Sequence, residues 1–156
     1  MSSQKEQSSL TRLLLIRHAQ TEWNIQRRFQ GHGDSPITEE GQEQLQRLKS
    51  RLAGLEFDVV YSSDLRRTME TSKMLSGKQR VEEPRLRERG VGIFEGLNLE
   101  QIRAEHAEAF RAFRSGDKYH QIEGGESLQI ALNRAWTFLE EMPEKHPGAE
   151  LAAVSH

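Results

Sequence analysis

The run Leu13-Leu14-Leu15-Ile16, broken off at Arg17-His18, constrains the fold more than any other feature of this 156-residue chain. A run so short and so apolar fits a strand buried on both faces of a parallel sheet. Asp58 to Tyr61 reads as a second strand through Val59 and Val60, and Leu151 to Val154 as a last one running into Ser155 and His156. A brief strand is expected around Arg80 to Glu82. Helical patterns fill the intervals. Thr38 suits an N-cap ahead of Leu45, Leu48 and Leu52, and Ser63 and Asp64 stand where a cap belongs ahead of Leu65 and Met69. Asn98 to Gln101 has capping-box spacing and opens a helix carrying Ile102, Phe110 and Phe113. Leu128, Leu132, Ala135, Phe138, Leu139 and Met142 line one face of a final helix, whose end Pro143 and Pro147 bracket. Strands alternating with helices predict an α/β domain: a largely parallel central sheet flanked by helices.

The length suits one domain. Residues 1–12, mostly Ser, Gln, Lys and Glu, read as a flexible N-terminal tail, which leaves 13–156 as the domain. With 22 basic and 24 acidic residues the formal net charge is -2, which gives no global pull toward nucleic acid or an anionic membrane. No cysteine is present, so disulfides, thiolate ligands and cysteine nucleophiles are excluded. No stretch has the character of a secretory signal or a membrane helix, so a cytoplasmic protein is expected. Oligomeric state stays open; edge strands in this architecture can pair two copies into a homodimer.

In open α/β sheets functional groups gather outside the carboxyl ends of the strands. The first strand delivers Arg17 and His18 there, the last delivers His156, and Arg67 follows the second near a helix start whose dipole favours an anion. Two arginines and two histidines on one side of a sheet suit a phosphate. Arginine offers a planar fork of donors, and histidine titrates near neutral pH. Each member taken singly has an ordinary reading: a solvated loop start, a charged helix face, a charged loop around Glu88. Their coincidence is what points to a site. His32, His106, His120 and His146 lack ligand-like spacing, so no metal is expected.

The motifs as a set resemble the histidine phosphatase superfamily, the phosphoglycerate mutase-like proteins. Leu15-Ile16-Arg17-His18-Ala19-Gln20-Thr21 is similar to its signature, an apolar strand followed by Arg-His-Gly-x-Thr. The similarity continues through Trp23-Asn24, Gln30-Gly31, Asp34 to Thr38 and Gly41, then Tyr61 to Thr68, Leu86-Arg87-Glu88 and Phe94-Glu95-Gly96. It closes with Gly124 to Ser127 and Val154-Ser155-His156. The resemblance implies that His18 attacks phosphorus and becomes a phosphohistidine, with Arg17, Arg67 and a protonated His156 around the equatorial oxygens. It implies Glu88 as general acid, its pKa raised by burial or by the bound phosphate, with Glu22, Glu95 and Glu126 as alternatives. Thr21, Asn24, Gln30, Gly31 and Glu126 fall on substrate-binding positions, although Glu126 also suits shaping the pocket or capping the helix after it. Trp23, Ile25, Phe29, Phe94, Tyr119 and His120 are candidates for the pocket wall.

Two positions depart from the family pattern. Ala19 stands where glycine is usual, and family members continue beyond the residue matched by His156 with a helix and further segments. The resemblance thus implies a domain short of that C-terminal segment, with apolar sheet surface left open. The short separation of Glu88 from His156 resembles the compact phosphatase branch. The function implied is hydrolysis of a small phosphorylated metabolite, without a cofactor. A phosphoglycerate mutase-type shuttle, needing a 2,3-bisphosphoglycerate primer, is one alternative, and a non-catalytic domain that binds a phospholigand is another.

Overall fold

The computed structural model describes residues 10–156, so most of the expected tail lies outside the described residues. Thr11 donates its hydroxyl to the His146 carbonyl at 2.6 Å, and Arg12 opens the first strand. The described residues form a four-stranded sheet of β1 (Arg12–Arg17), β2 (Phe57–Ser62), β3 (Gly77–Glu82) and β4 (Glu150–Ser155), in the order β1-β4-β2-β3. Every pairing is parallel. Helices α1 (Glu22–Ile25), α2 (Glu39–Arg51), α3 (Arg66–Ser72), α4 (Leu99–Glu105), α5 (Ala107–Phe113) and α6 (Leu128–Lys145) connect the strands.

Caps explain several of these boundaries. The Thr38 hydroxyl accepts from the Gly41 amide at 2.9 Å, and Asn98 and Gln101 form a reciprocal capping box. The expected cap at Ser63-Asp64 is not formed: Leu65 takes that position without a side-chain cap, and Asp64 pairs with Arg87 instead. Pro143 lies inside α6 rather than at its end. The single helix expected after Asn98 is broken at His106, whose φ of -135° is not helical. The break lets both α4 and α5 lay apolar side chains on Phe94, in a cluster of Val91, Phe94, Ile102 and Ile122 flanked by Phe29, Phe110 and Phe113. The stretch expected as one long loop from His18 to Pro36 holds the short helix α1.

The sheet has a core on each face. Val59, Tyr61, Phe138, Met142, Leu151 and Ala153 meet on one side; Phe57, Val60, Leu75, Ala152 and Val154 meet on the other. From Val59 in β2 and from Leu151 in β4 onward, alternate residues serve opposite cores, as strand geometry requires; Phe57, at the start of β2, joins the second core outside that alternation. β1 does not share this burial. It lies at the sheet edge, where Leu14 is 38% and Leu15 61% exposed, so its apolar run is not buried on both faces. α6 shows the same departure: Phe138 and Met142 are buried, while Leu128 and Leu132 stand open. Among the described residues, no helix is long and apolar enough to cross a membrane.

Candidate active site

The ladder of the three neighbouring strands continues past their carboxyl ends. The His18 amide donates to the Ser155 carbonyl and the Ser63 amide to the Val154 carbonyl, both at 3.0 Å. These bonds fix the loop starts on β1 and β2 against the end of β4. His18 and His156 are thereby adjacent, with ring centroids 5.2 Å apart.

His18 is 9% exposed, and its Nδ1 lies 2.7 Å from the Ala19 carbonyl. A carbonyl only accepts, so the proton sits on Nδ1 and the lone pair on Nε2. Burial, followed by the charges of Arg67 and Arg17, lowers the His18 pKa to about 4 against the opposing pull of that carbonyl. The ring is therefore neutral at physiological pH. Ala19 fits without strain on the polar network: its amide donates to the Thr71 hydroxyl at 3.0 Å.

Arg67 is 1% exposed, whereas the side chain of its neighbour Arg66 points outward to Glu70. Arg67 Nη1 donates to the Gly33 carbonyl at 2.7 Å and Nη2 to the Gly31 carbonyl at 2.8 Å. Its Nε donates to His156 Nδ1 at 3.2 Å, so that nitrogen is an acceptor. His156 Nε2 then carries the proton, 3.2 Å from the Ser63 hydroxyl. Burial first, then the Arg67 charge, lowers the His156 pKa to about 2. Burial and the donation from Arg67 both oppose a proton on His156 Nδ1 in this arrangement.

Arg17, His18, Asn24, Gln30, Gly31 and Arg67 line one cavity of about 300 Å³ together with Glu88. Arg17 is exposed, and its side chain makes no hydrogen bond among the described residues. The Asn24 carboxamide oxygen accepts from the Thr21 amide (2.9 Å) and hydroxyl (3.0 Å), which leaves the amide nitrogen for the cavity. Thr21 itself is fully buried, bonded to Asn24 and Gln30. It braces two lining residues and does not line the cavity.

Glu126 does not line the cavity either. Both its oxygens accept from Arg134, one at 2.9 Å and one at 2.7 Å, and it accepts from the Gly90 amide. Ser127, not Glu126, caps α6. Glu95 accepts from the His32 amide at 2.9 Å and the Val91 amide at 3.3 Å. Glu88 has no such commitments beyond the Arg89 amide and stands exposed at the rim, so it is not the buried carboxyl that one expectation made it. Its backbone, by contrast, is tightly held. Arg134 donates to the carbonyls of Arg85, Arg87 and Glu88 at 2.6 to 2.8 Å, and His32 Nε2 lies 2.9 Å from the Glu88 carbonyl.

Of the residues expected on the pocket wall, only Phe29 lines the cavity; Phe94 is core, and Ile25 and Tyr119 face outward. Arg28, Arg89, Val91 and Phe113 complete the lining unanticipated. A basic residue next to Glu88 and an aromatic ending α5 were the only signals for Arg89 and Phe113. Among the described residues no group of three or more His, Asp or Glu side chains is placed to hold a metal ion.

A profile of the histidine phosphatase superfamily, branch 1, matches residues 13–156. The chain belongs to that superfamily. It is 37% identical over 150 residues to phosphoglycerate mutase-like protein 4 of Arabidopsis thaliana, covering 92% of this chain and 65% of the relative. It is 35% identical over 158 residues to a metal-independent phosphoserine phosphatase of the same plant, covering 97% of this chain and 66% of that one. The chain thus spans just under two thirds of the length of these superfamily relatives. The solved structure of Bacillus stearothermophilus YhfR matches with a TM-score of 0.84 at 32% identity, covering 94% of this chain and 74% of that one.

Proposed function

We propose that this superfamily domain is a phosphomonoester hydrolase that acts on a small phosphorylated metabolite through a phosphohistidine on His18. The observation that carries the reading is the 2.7 Å bond from His18 Nδ1 to the Ala19 carbonyl, which presents an unprotonated Nε2 to a cavity lined by arginines. That lone pair attacks phosphorus as the P–O bond to the alcohol breaks. Arg17 and Arg67 bind the equatorial oxygens, and Asn24 donates its amide to the same group. An entering dianion draws donors from Arg67 and raises the affinity of His156 for a proton, so His156 becomes a third cationic contact only with phosphate bound. Glu88 gives its proton to the leaving alkoxide. Water then attacks the phosphohistidine, returning a proton to Glu88 and releasing phosphate with His18 neutral again.

The relatives' names support the reaction class. One is called a metal-independent phosphatase, another a phosphoglycerate mutase-like protein, and both activities use the same attacking histidine in this scheme. The deciding assay is release of p-nitrophenol from its phosphate ester in EDTA, with His18→Ala beside it. Turnover that survives chelation and disappears with His18→Ala is expected. Turnover unaffected by the substitution, or absent from the folded chain, rejects the proposal. A mutase would instead show primer-dependent transfer from 2,3-bisphosphoglycerate exceeding phosphate release.

A further inference from the structure

The carbonyls of Arg85, Leu86, Arg87 and Glu88 each accept from a side chain. Arg134 serves those of Arg85, Arg87 and Glu88, and the Ser155 hydroxyl donates to that of Leu86 at 2.9 Å. The Glu88 carbonyl has a second partner, His32 Nε2 at 2.9 Å. His32 reaches it from the other side of the site. It lies between Gly31 and Gly33, whose carbonyls both accept from Arg67. One side chain therefore runs from the loop that Arg67 grips to the backbone of the proposed acid.

The ring is built into that place. A carbonyl only accepts, so the proton sits on His32 Nε2. The Glu126 carboxylate, 3.6 Å from the same nitrogen, favours it there. The His32 amide donates to Glu95 at 2.9 Å, which fixes the start of the side chain. The ring lies against Gly90, where a β-carbon would come within 3.3 Å of Cε1 and 3.4 Å of Nε2. Gly90 does not have a positive φ, so the ring, not the backbone conformation, is what crowds a side chain at that position. His32 does not line the cavity, so contact with substrate does not account for these bonds.

We propose that His32 is a positioning residue, whose Nε2–H bond to the Glu88 carbonyl sets the acid relative to the loop held by Arg67. The task of Glu88 rests on the phosphatase reading; the tie between the two segments does not. The Glu88 side chain is exposed and bonds only the Arg89 amide, so its reach to the leaving oxygen depends on where its backbone is held. Small misplacements of a reacting group are expensive, and removing one of two donors on that carbonyl is expected to cost about tenfold in kcat.

Turnover of glycerol 3-phosphate and of p-nitrophenyl phosphate by the chain carrying His32→Ala or His32→Gln tests it. With His32→Ala, kcat for the alkyl ester should fall about tenfold with KM within about twofold. For p-nitrophenyl phosphate kcat should stay within about twofold, because that leaving group needs little protonation. The Gln amide can donate to the same carbonyl, so His32→Gln should recover most of the loss. A ring that only stabilised the fold would lower both substrates together. Amide hydrogen exchange gives a readout without turnover: His32→Ala should speed exchange from Arg87 to Gly90 by about tenfold and leave α2 unchanged. Equal losses on the two esters, no loss on either, unchanged exchange, or an acceleration shared by α2 would overturn the proposal. If the unsubstituted chain hydrolyses only p-nitrophenyl phosphate, or neither ester, the exchange rates decide whether His32 holds the segment. Hydrolysis of neither removes the phosphatase reading by itself.

Discussion

The two ends of the cavity are built on opposite plans. At the inner end His18 and Arg67, with His156 beside them though not in the lining, are packed among strand termini, and their protein-facing nitrogens are already engaged with carbonyls or each other. At the rim, Glu88 and Arg89 hang from an irregular segment whose backbone is fixed while their side chains keep free valence. On the proposed reaction, the contrast places rigidity where charge would develop at phosphorus, and freedom where the alcohol would vary. It also separates stability from activity: inner residues should carry both, rim residues activity alone.

The largest test of that separation is Arg67→Met. It orphans the buried carbonyl of Gly31 and the part-buried one of Gly33 and removes the main cation, so p-nitrophenyl phosphate turnover should fall by roughly a thousandfold or more and unfolding free energy by about 3 kcal/mol. Urea unfolding that matches the unsubstituted chain would break the comparison. Next is acid sensitivity. His18 has a folded pKa of about 4, below its ordinary 6.5, so the unfolded chain binds the proton first as pH falls. Its contribution is complete above about pH 6.5 and is lost on descending to about pH 4, a loss on the order of 3 kcal/mol. Unfolding curves at about pH 7 and pH 4 should show His18→Asn losing correspondingly less over that interval.

Glu88→Gln should lower kcat for an alkyl phosphate by about a hundredfold, and much less for p-nitrophenyl phosphate, whose leaving group needs little protonation. Stability should change by less than about 0.5 kcal/mol, because the side chain is exposed. Glu95→Gln, tied to backbone amides, should not reproduce that split between substrates. The smallest effect belongs to Arg134→Ala, which frees the Glu88 segment without touching the cavity. About a tenfold loss on the alkyl ester is expected, concentrated in kcat, and a Lys at this position should recover only part of it.

What the sequence made legible follows the same division. Strand cores and the inner residues announce themselves through apolar runs that stop on Arg17-His18 and Ser155-His156, because a strand end both buries and delivers. Glu88 was legible from the family pattern, and its exposure was not, since that depends on how the segment after β3 packs on α6. The openness of Leu14 and Leu15 was hidden for a related reason: a parallel strand reads the same at an edge as in the centre until the sheet order is known. Arg134 was hidden as one charge on an amphipathic helix. Its grip on the carbonyls of Arg85, Arg87 and Glu88 is a long-range fact that helical periodicity does not encode. The neutral state of His156 likewise required knowing that Arg67 Nε points at it.

The strand order has a consequence for how the molecule comes into being. β4, latest of the four strands in the sequence, lies between β1 and β2, which are far earlier. The first strand therefore has no partner within the sheet until about 130 residues later in the chain have been laid in, and closing loops of that size before any pairing is gained makes for slow, cooperative assembly. Because one histidine rides on β1 and the other on β4, their meeting coincides with that late closure. On the proposed reaction, recovery of activity during refolding should consequently trail the formation of helices and coincide with burial of Ala152 and Val154, so that phosphate release would time the closure of that strand.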